Sequence, residues 1–152
     1  FQISNEPGFL TPTLYNYVGR PDKTAEVVRK TLKERYNTTK EGIPGNDDSG
    51  SMSSWYVFHA LGFYPNTGQD LYLISSPTFE EAVIHLENGR DLSIKAKKAS
   101  DKNIYVQSVK LNGEPLDACS FKHTDIANGG TLEFVMGSKP SKWGTVGVEN
   151  QL

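Results

Sequence analysis

The spacing of apolar residues changes once along the chain, and that change limits the fold more than any other feature. From Pro21 to Leu61 apolar residues recur with the 3.6-residue period of a helix, and from Leu71 onward they alternate with the period of a strand. The pattern predicts an α+β chain with a boundary between about 65 and 70. Its two parts are expected as 1–65, helical, and 66–152, an antiparallel β-sheet or sandwich-like region.

In the first part, Pro21 opens the clearest helix, expected from about Asp22 to Tyr36. Ala25, Val28, Leu32 and Tyr36 share one face, and Lys23, Arg29, Lys30, Lys33 and Glu34 lie mostly on the polar side. A shorter helix before it ends at Gly19. A third helix, holding Met52, Trp55, Tyr56, Phe58, His59, Ala60 and Leu61, is apolar around most of its circumference and should be buried, with His59 a hydrogen-bonded core residue. Asn37-Thr38-Thr39 fits the N-glycosylation acceptor pattern, which has meaning only in a glycosylating compartment.

In the second part, Ala82, Ile84 and Leu86 alternate with Val83, His85 and Glu87, and Leu92, Ile94 and Ala96 with Ser93, Lys95 and Lys97. Asn88-Gly89 and Asn112-Gly113 are type I′ hairpin signals. Further strands are expected at 71–74, 103–111 and 131–136. Lys95, Lys97, Lys98 and Lys102 read as a solvated polar edge.

Between the last two helices lies the stretch richest in chemistry, Gly42-Ile43-Pro44-Gly45-Asn46-Asp47-Asp48-Ser49-Gly50-Ser51-Met52-Ser53-Ser54-Trp55-Tyr56. Its glycines and proline exclude regular structure. Its adjacent carboxylates repel unless solvent, a cation, a helix N-terminus or a shared proton offsets them. In one reading Asp48 or Ser49 caps the following helix and the other acid is solvated. In the other the pair activates water or binds Ca²⁺, a hard cation that prefers oxygen ligands. EF-hand spacing is absent. Near the start, Asn5-Glu6-Pro7 places oxygens before a rigid proline in a turn.

Totals exclude several classes. Sixteen basic and eighteen acidic residues give a charge of −2, which argues against nucleic acid or an anionic membrane as main partner. No stretch approaches the roughly 20 apolar residues of a membrane span. The single cysteine, Cys119, excludes an internal disulfide framework or thiolate cluster and reads as a small packing residue. Phe1-Gln2-Ile3-Ser4 has no signal-peptide pattern, so the chain is expected to be an internal or processed piece of something longer.

Asn5-Glu6-Pro7, Leu14-Tyr15-Asn16-Tyr17, the 42–57 stretch and Ala60-Leu61-Gly62-Phe63-Tyr64-Pro65 together resemble the C-terminal part of glycoside hydrolase family 92 α-mannosidases. The similarity continues through Ile84-His85-Leu86-Glu87-Asn88-Gly89, Leu111-Asn112-Gly113 and Asn128-Gly129-Gly130-Thr131-Leu132, nearly the whole chain. The resemblance implies a Ca²⁺-dependent, exo-acting hydrolase that inverts the anomeric centre of α-mannosides, probing mannose-containing glycans with α-1,2 linkages. The helical region would be the last part of an (α/α)6 toroid. Asp48 matches the residue assigned as general base, and Asp47 a neighbouring acid that is usually Glu; both are expected to be catalytic residues. Asn46 and Glu6 would contact sugar, and Asn5 and Glu6 would contact metal or sugar. The general-acid Glu would lie upstream, in the rest of the parent polypeptide, leaving this piece inactive alone. A periplasmic, cell-surface or secreted bacterial location is implied. One departure is Leu10, where the family often carries His, which bears on sugar contacts and linkage preference.

Two other functions fit the residues less fully. A non-catalytic carbohydrate-binding or structural β-module would need an exposed aromatic platform, with Tyr72, Tyr105 and Trp143 as candidates. Another toroidal glycosidase or a sugar phosphorylase would be told apart by a demand for phosphate.

Overall fold

The computed structural model describes residues 1–148, so the last four residues of the expected β-region lie outside the described residues. Two helices stand where the 3.6-residue period placed them, α1 (Pro21–Arg35) and α2 (Ser51–Leu61). Before α1, a 3-10 helix (Thr11–Val18) ends at Gly19. Eight strands follow α2: β1 (Phe63–Pro65), β2 (Tyr72–Ile74), β3 (Glu81–His85), β4 (Asp91–Lys97), β5 (Tyr105–Leu111), β6 (Glu114–Pro115), β7 (Ser120–Phe121) and β8 (Gly130–Gly137).

These strands form a three-stranded sheet, β1-β2-β7, and a five-stranded sheet, β3-β4-β8-β5-β6. The region is not wholly antiparallel. β4 and β8 pair in parallel, from Leu92 opposite Gly130 to Lys97 opposite Val135. Local hairpins are readable from turn residues, whereas β8 reaches its place by a long connection that leaves no local signature. One consequence corrects the polar edge: Lys95 and Lys97 sit on β4, an interior strand, and only its outward face is wet.

The two Asn-Gly turns differ. Asn112 and Gly113 both have positive φ, at 52° and 88°, as a type I′ turn requires. At Asn88-Gly89 only Gly89 is left-handed (φ 79°), and Leu86 and Arg90 close a three-residue loop, so this turn is not type I′.

Two apolar cores meet at the helix–sheet joint. One gathers Ile3, Phe9, Val28, Leu32, Met52, Trp55 and Tyr64, and the other the inward residues of the larger sheet with Phe63, Ile74, Phe121 and Trp143. Phe58 packs against both. Burying each large side chain is worth about 1.5–3 kcal/mol, so neither part is an appendage of the other. Polar ties reinforce the joint. The Arg29 guanidinium donates to the Pro77 carbonyl at 2.6 Å and to that of Ser100 at 2.9 Å.

Asn16 is the buried tie that holds the 3-10 helix Thr11–Val18 in place. Its amide donates to the Ile74 and Cys119 carbonyls at 2.7 and 3.2 Å, and its Oδ1 lies 2.8 Å from the Thr24 hydroxyl. Asn16→Ala removes these partners without admitting water, so stability should fall by about 2–3 kcal/mol, read as a lower urea midpoint with unchanged slope. A midpoint equal to that of the unaltered chain would show that the bonds contribute nothing net.

Cys119 is buried, its thiol donates to the Gly144 carbonyl at 2.9 Å, and burial pushes its pKa up to about 12. It is a packing residue with no thiolate for nucleophilic chemistry.

Candidate functional site

Segments that are forty residues apart in sequence are joined at the start of α2. The Asn46 backbone N–H donates to the Ser4 carbonyl at 3.3 Å, and a Cβ on Gly45 would lie 2.1 Å from that same oxygen. Gly45, at φ 67°, is therefore the one residue type that lets the two backbones touch. The next residue of each segment is a candidate. Asn5 caps the 3-10 turn Glu6–Gly8, its Oδ1 accepting from the Glu6 amide at 3.0 Å. Glu6 Oε1 accepts from the Ser51 hydroxyl, the first residue of α2, at 3.3 Å.

Two aromatic residues hold this arrangement from behind. The Trp55 indole donates to the Phe9 carbonyl at 3.1 Å, tying the Asn5–Glu6 segment to α2. The Tyr36 hydroxyl donates to the Met52 carbonyl at 3.1 Å, and its ring stacks on Trp55. The site thus sits above the buried face of the helical core.

Asp47 and Asp48 have different surroundings. Asp47 Oδ1 accepts from the Ser53 amide and Oδ2 from the Ser53 hydroxyl, both at 2.8 Å. Those two bonds hold its carboxyl below the usual carboxylate range. Gly50 holds the N-cap position of α2 and has no side chain to offer, so the Ser53 amide in the first turn is capped by the Asp47 carboxylate from three residues earlier, not by Asp48 or Ser49. Ser49 and Gly50 are both left-handed, at φ 52° and 80°, so the chain reverses between Asp48 and α2, and neither the Asp48 nor the Ser49 side chain bonds to an α2 amide. The Asp48 carboxylate is exposed and makes no hydrogen bond or ion pair among the described residues.

Glu6 and Asp47 form an acidic rim at the N-terminus of α2, where their carboxylates accept from Ser51 and Ser53 and the helix's partial positive charge stabilises them. No group of three or more His, Cys, Asp or Glu residues that could hold a metal occurs among the described residues. Asn5 and Glu6 are oxygen donors of the kind calcium prefers, yet two residues are far fewer than its six to eight ligands. The fit is that of a partial ligand set.

Sequence reasoning missed the partners that fix the site: the Ser4 carbonyl, Ser51 and Ser53. A run of small hydroxyl residues at a helix start was the available sign for the last two. His59 is buried as expected, but it is not hydrogen-bonded, since neither ring nitrogen has a partner among the described residues. It lies between the Trp55 and Tyr64 rings at 4.2 and 4.8 Å. Aromatic packing on the ring leaves both nitrogens buried and unpaired.

Tyr72, Tyr105 and Trp143, the candidates for a binding module's aromatic platform, do not form one among the described residues. Trp143 is buried with its indole donating to the Leu116 carbonyl. Tyr72 packs on Phe63 and Phe121, and the Tyr105 hydroxyl is tied to Glu26.

The chain belongs to glycoside hydrolase family 92, whose catalytic-domain model matches residues 1–138. A secreted glycosidase of Arthroderma benhamiae, whose function is not characterised, is 41% identical over 146 residues, which is 94% of this chain and 19% of that protein. Among solved structures, a family 92 α-mannosidase of Bacteroides thetaiotaomicron in complex with mannoimidazole superposes with a TM-score of 0.88 at 36% identity, over 91% of this chain and 18% of that one. A family 92 inverting mannosidase from the same species gives a TM-score of 0.85 at 34% identity, over 93% and 19%. This chain therefore spans about a fifth of the length of these relatives.

Proposed function

We propose that this chain is the C-terminal portion of a longer, inverting, exo-acting α-mannosidase that removes mannose from glycans, α-1,2-linked ones first among them. The observation that carries the reading is Asp48, an unengaged carboxylate on a loop braced from both sides, in a chain of mannosidase family membership. Its likeness to a structure named as an inverting mannosidase, and to one holding mannoimidazole, supports the reaction and the sugar.

Inversion requires an acid that protonates the leaving oxygen and a base that activates water on the opposite face of the ring, roughly 6.5–9.5 Å apart. Neighbours in sequence cannot serve as both. Asp48 is the base, and the acid comes from outside this chain, so the chain alone is inactive. Asp48 accepts a proton from water as the water oxygen bonds to the anomeric carbon and the glycosidic bond breaks. Asn46 and Glu6 hold sugar hydroxyls at the same rim.

Asn5 and Glu6 are this chain's contribution to a calcium site completed by other segments, water and the sugar. An ion held there would supply positive charge to sugar hydroxyls. The residues up to 65 are the end of an (α/α)6 toroid and those from 66 the attached β-region. The protein works outside the cytoplasm, in keeping with the secreted relative.

The test is hydrolysis of an α-1,2-linked mannobiose by the full-length polypeptide, with and without a calcium chelator. Activity that chelation lowers by about 10-fold or more, and that added Ca²⁺ restores, is the expected result. A calcium-loaded polypeptide inert on every α-mannoside would overturn the reading.

A further inference from the structure

The residue pair at 47 and 48 divides its labour in a way that adjacency alone conceals. Asp47 has both carboxylate oxygens engaged by one residue, Ser53, through its amide and its hydroxyl. A carboxylate so held must break a bond to accept a proton from water, and its depressed pKa makes it a weaker base. On the other side, the Asn46 amide is fastened to the Ser4 carbonyl, with Gly45 against the same backbone. Residues 46 and 47 are therefore anchored in two directions. Asp48 follows directly, before the left-handed pair Ser49-Gly50 turns the chain into α2.

We propose that Asp47 is a positioning residue: through Ser53 its carboxylate caps α2 and fixes the loop that presents Asp48, and it takes no part in proton transfer. This rests on the reading of Asp48 as the base. It also predicts what can replace Asp47. Asn keeps a carbonyl oxygen for the Ser53 amide and offers its NH₂ group to the Ser53 hydroxyl oxygen, and Asn caps helices about as well as Asp. Ala keeps neither.

The experiment compares D47A, D47N, S53A and D48N in the full-length polypeptide, with kcat and KM on an α-mannoside beside a thermal melt of each. D47A is expected to lose about 10- to 100-fold in kcat, as misplacement of a reacting group does. D47N should recover most of that loss, S53A should resemble a milder D47A, and D48N should not be mimicked by D47N. Melting temperature should fall in D47A and be restored in D47N. A D47N enzyme as inactive as D48N would overturn the proposal, and so would a D47A enzyme with unaltered kcat. An active D48N with an inactive D47N would instead sink the assignment of the base. Were the unaltered polypeptide inert on α-mannosides, the function would fail alone. The cap would then stand or fall on whether D47A melts below D47N.

Discussion

Asp48→Asn in the full-length polypeptide should lower kcat by about 10²- to 10⁴-fold while KM changes by less than about 10-fold. The amide has the shape of the carboxylate and can still hold a water molecule, but it cannot take the proton. Asp48 makes no hydrogen bond or ion pair among the described residues, so nothing in the fold is undone by the change, and its melting temperature should match that of the unaltered protein. That separation gives the measurement its force. A loss confined to kcat, with a normal melt, identifies chemistry. Loss of stability together with activity would make Asp48 a structural residue, and unchanged kcat would remove it from the mechanism.

Most of this loop was legible before its geometry was known, though not the division within it. Gly45, Asn46, Asp47, Asp48 and Gly50 are local signals, and turn chemistry is written in adjacent residues. Which acid caps α2 depends on the backbone angles of Ser49, and a serine at φ 52° is not something its side chain announces. The approach of Ser4 to Gly45 is a contact across forty residues, visible in sequence only as an unexplained glycine. The strands tell the same story. Hairpins β3–β4 and β5–β6 follow from their turns, whereas the parallel pairing of β4 with β8 is decided by which apolar faces meet in the core. His59 shows the limit from the opposite side. A polar residue on an apolar helix implies a partner as a rule, and here the ring is packed between two aromatic side chains with neither nitrogen paired.

That missing partner makes His59 a residue through which acid should destabilise the chain, beside carboxylates such as Asp22 that are held low. Burial without a hydrogen bond lowers its pKa from 6.5 to about 3. The unfolded chain therefore binds a proton below pH 6.5 that the folded chain refuses until about pH 3. Stability is complete above pH 6.5, declines as pH falls through that window because the unfolded state then holds more protons, and is flat below it, where both states hold the proton. At 1.36 kcal/mol per unit, the 3.5-unit window amounts to about 5 kcal/mol, a large share of the 5–15 kcal/mol of an ordinary domain. His59→Leu, similar in volume and without polar atoms, removes both the titration and two buried unpaired nitrogens. Its stability at pH 8 should equal or exceed that of the unaltered chain, since no hydrogen bond is lost. At pH 4 the variant should be more stable by about 3 kcal/mol or more, with the difference vanishing toward neutrality. Urea midpoints measured from pH 3 to pH 8 decide the matter. Parallel curves for the two proteins would mean that His59 is protonated in the folded state near its ordinary pKa, and that a partner or water reaches the ring.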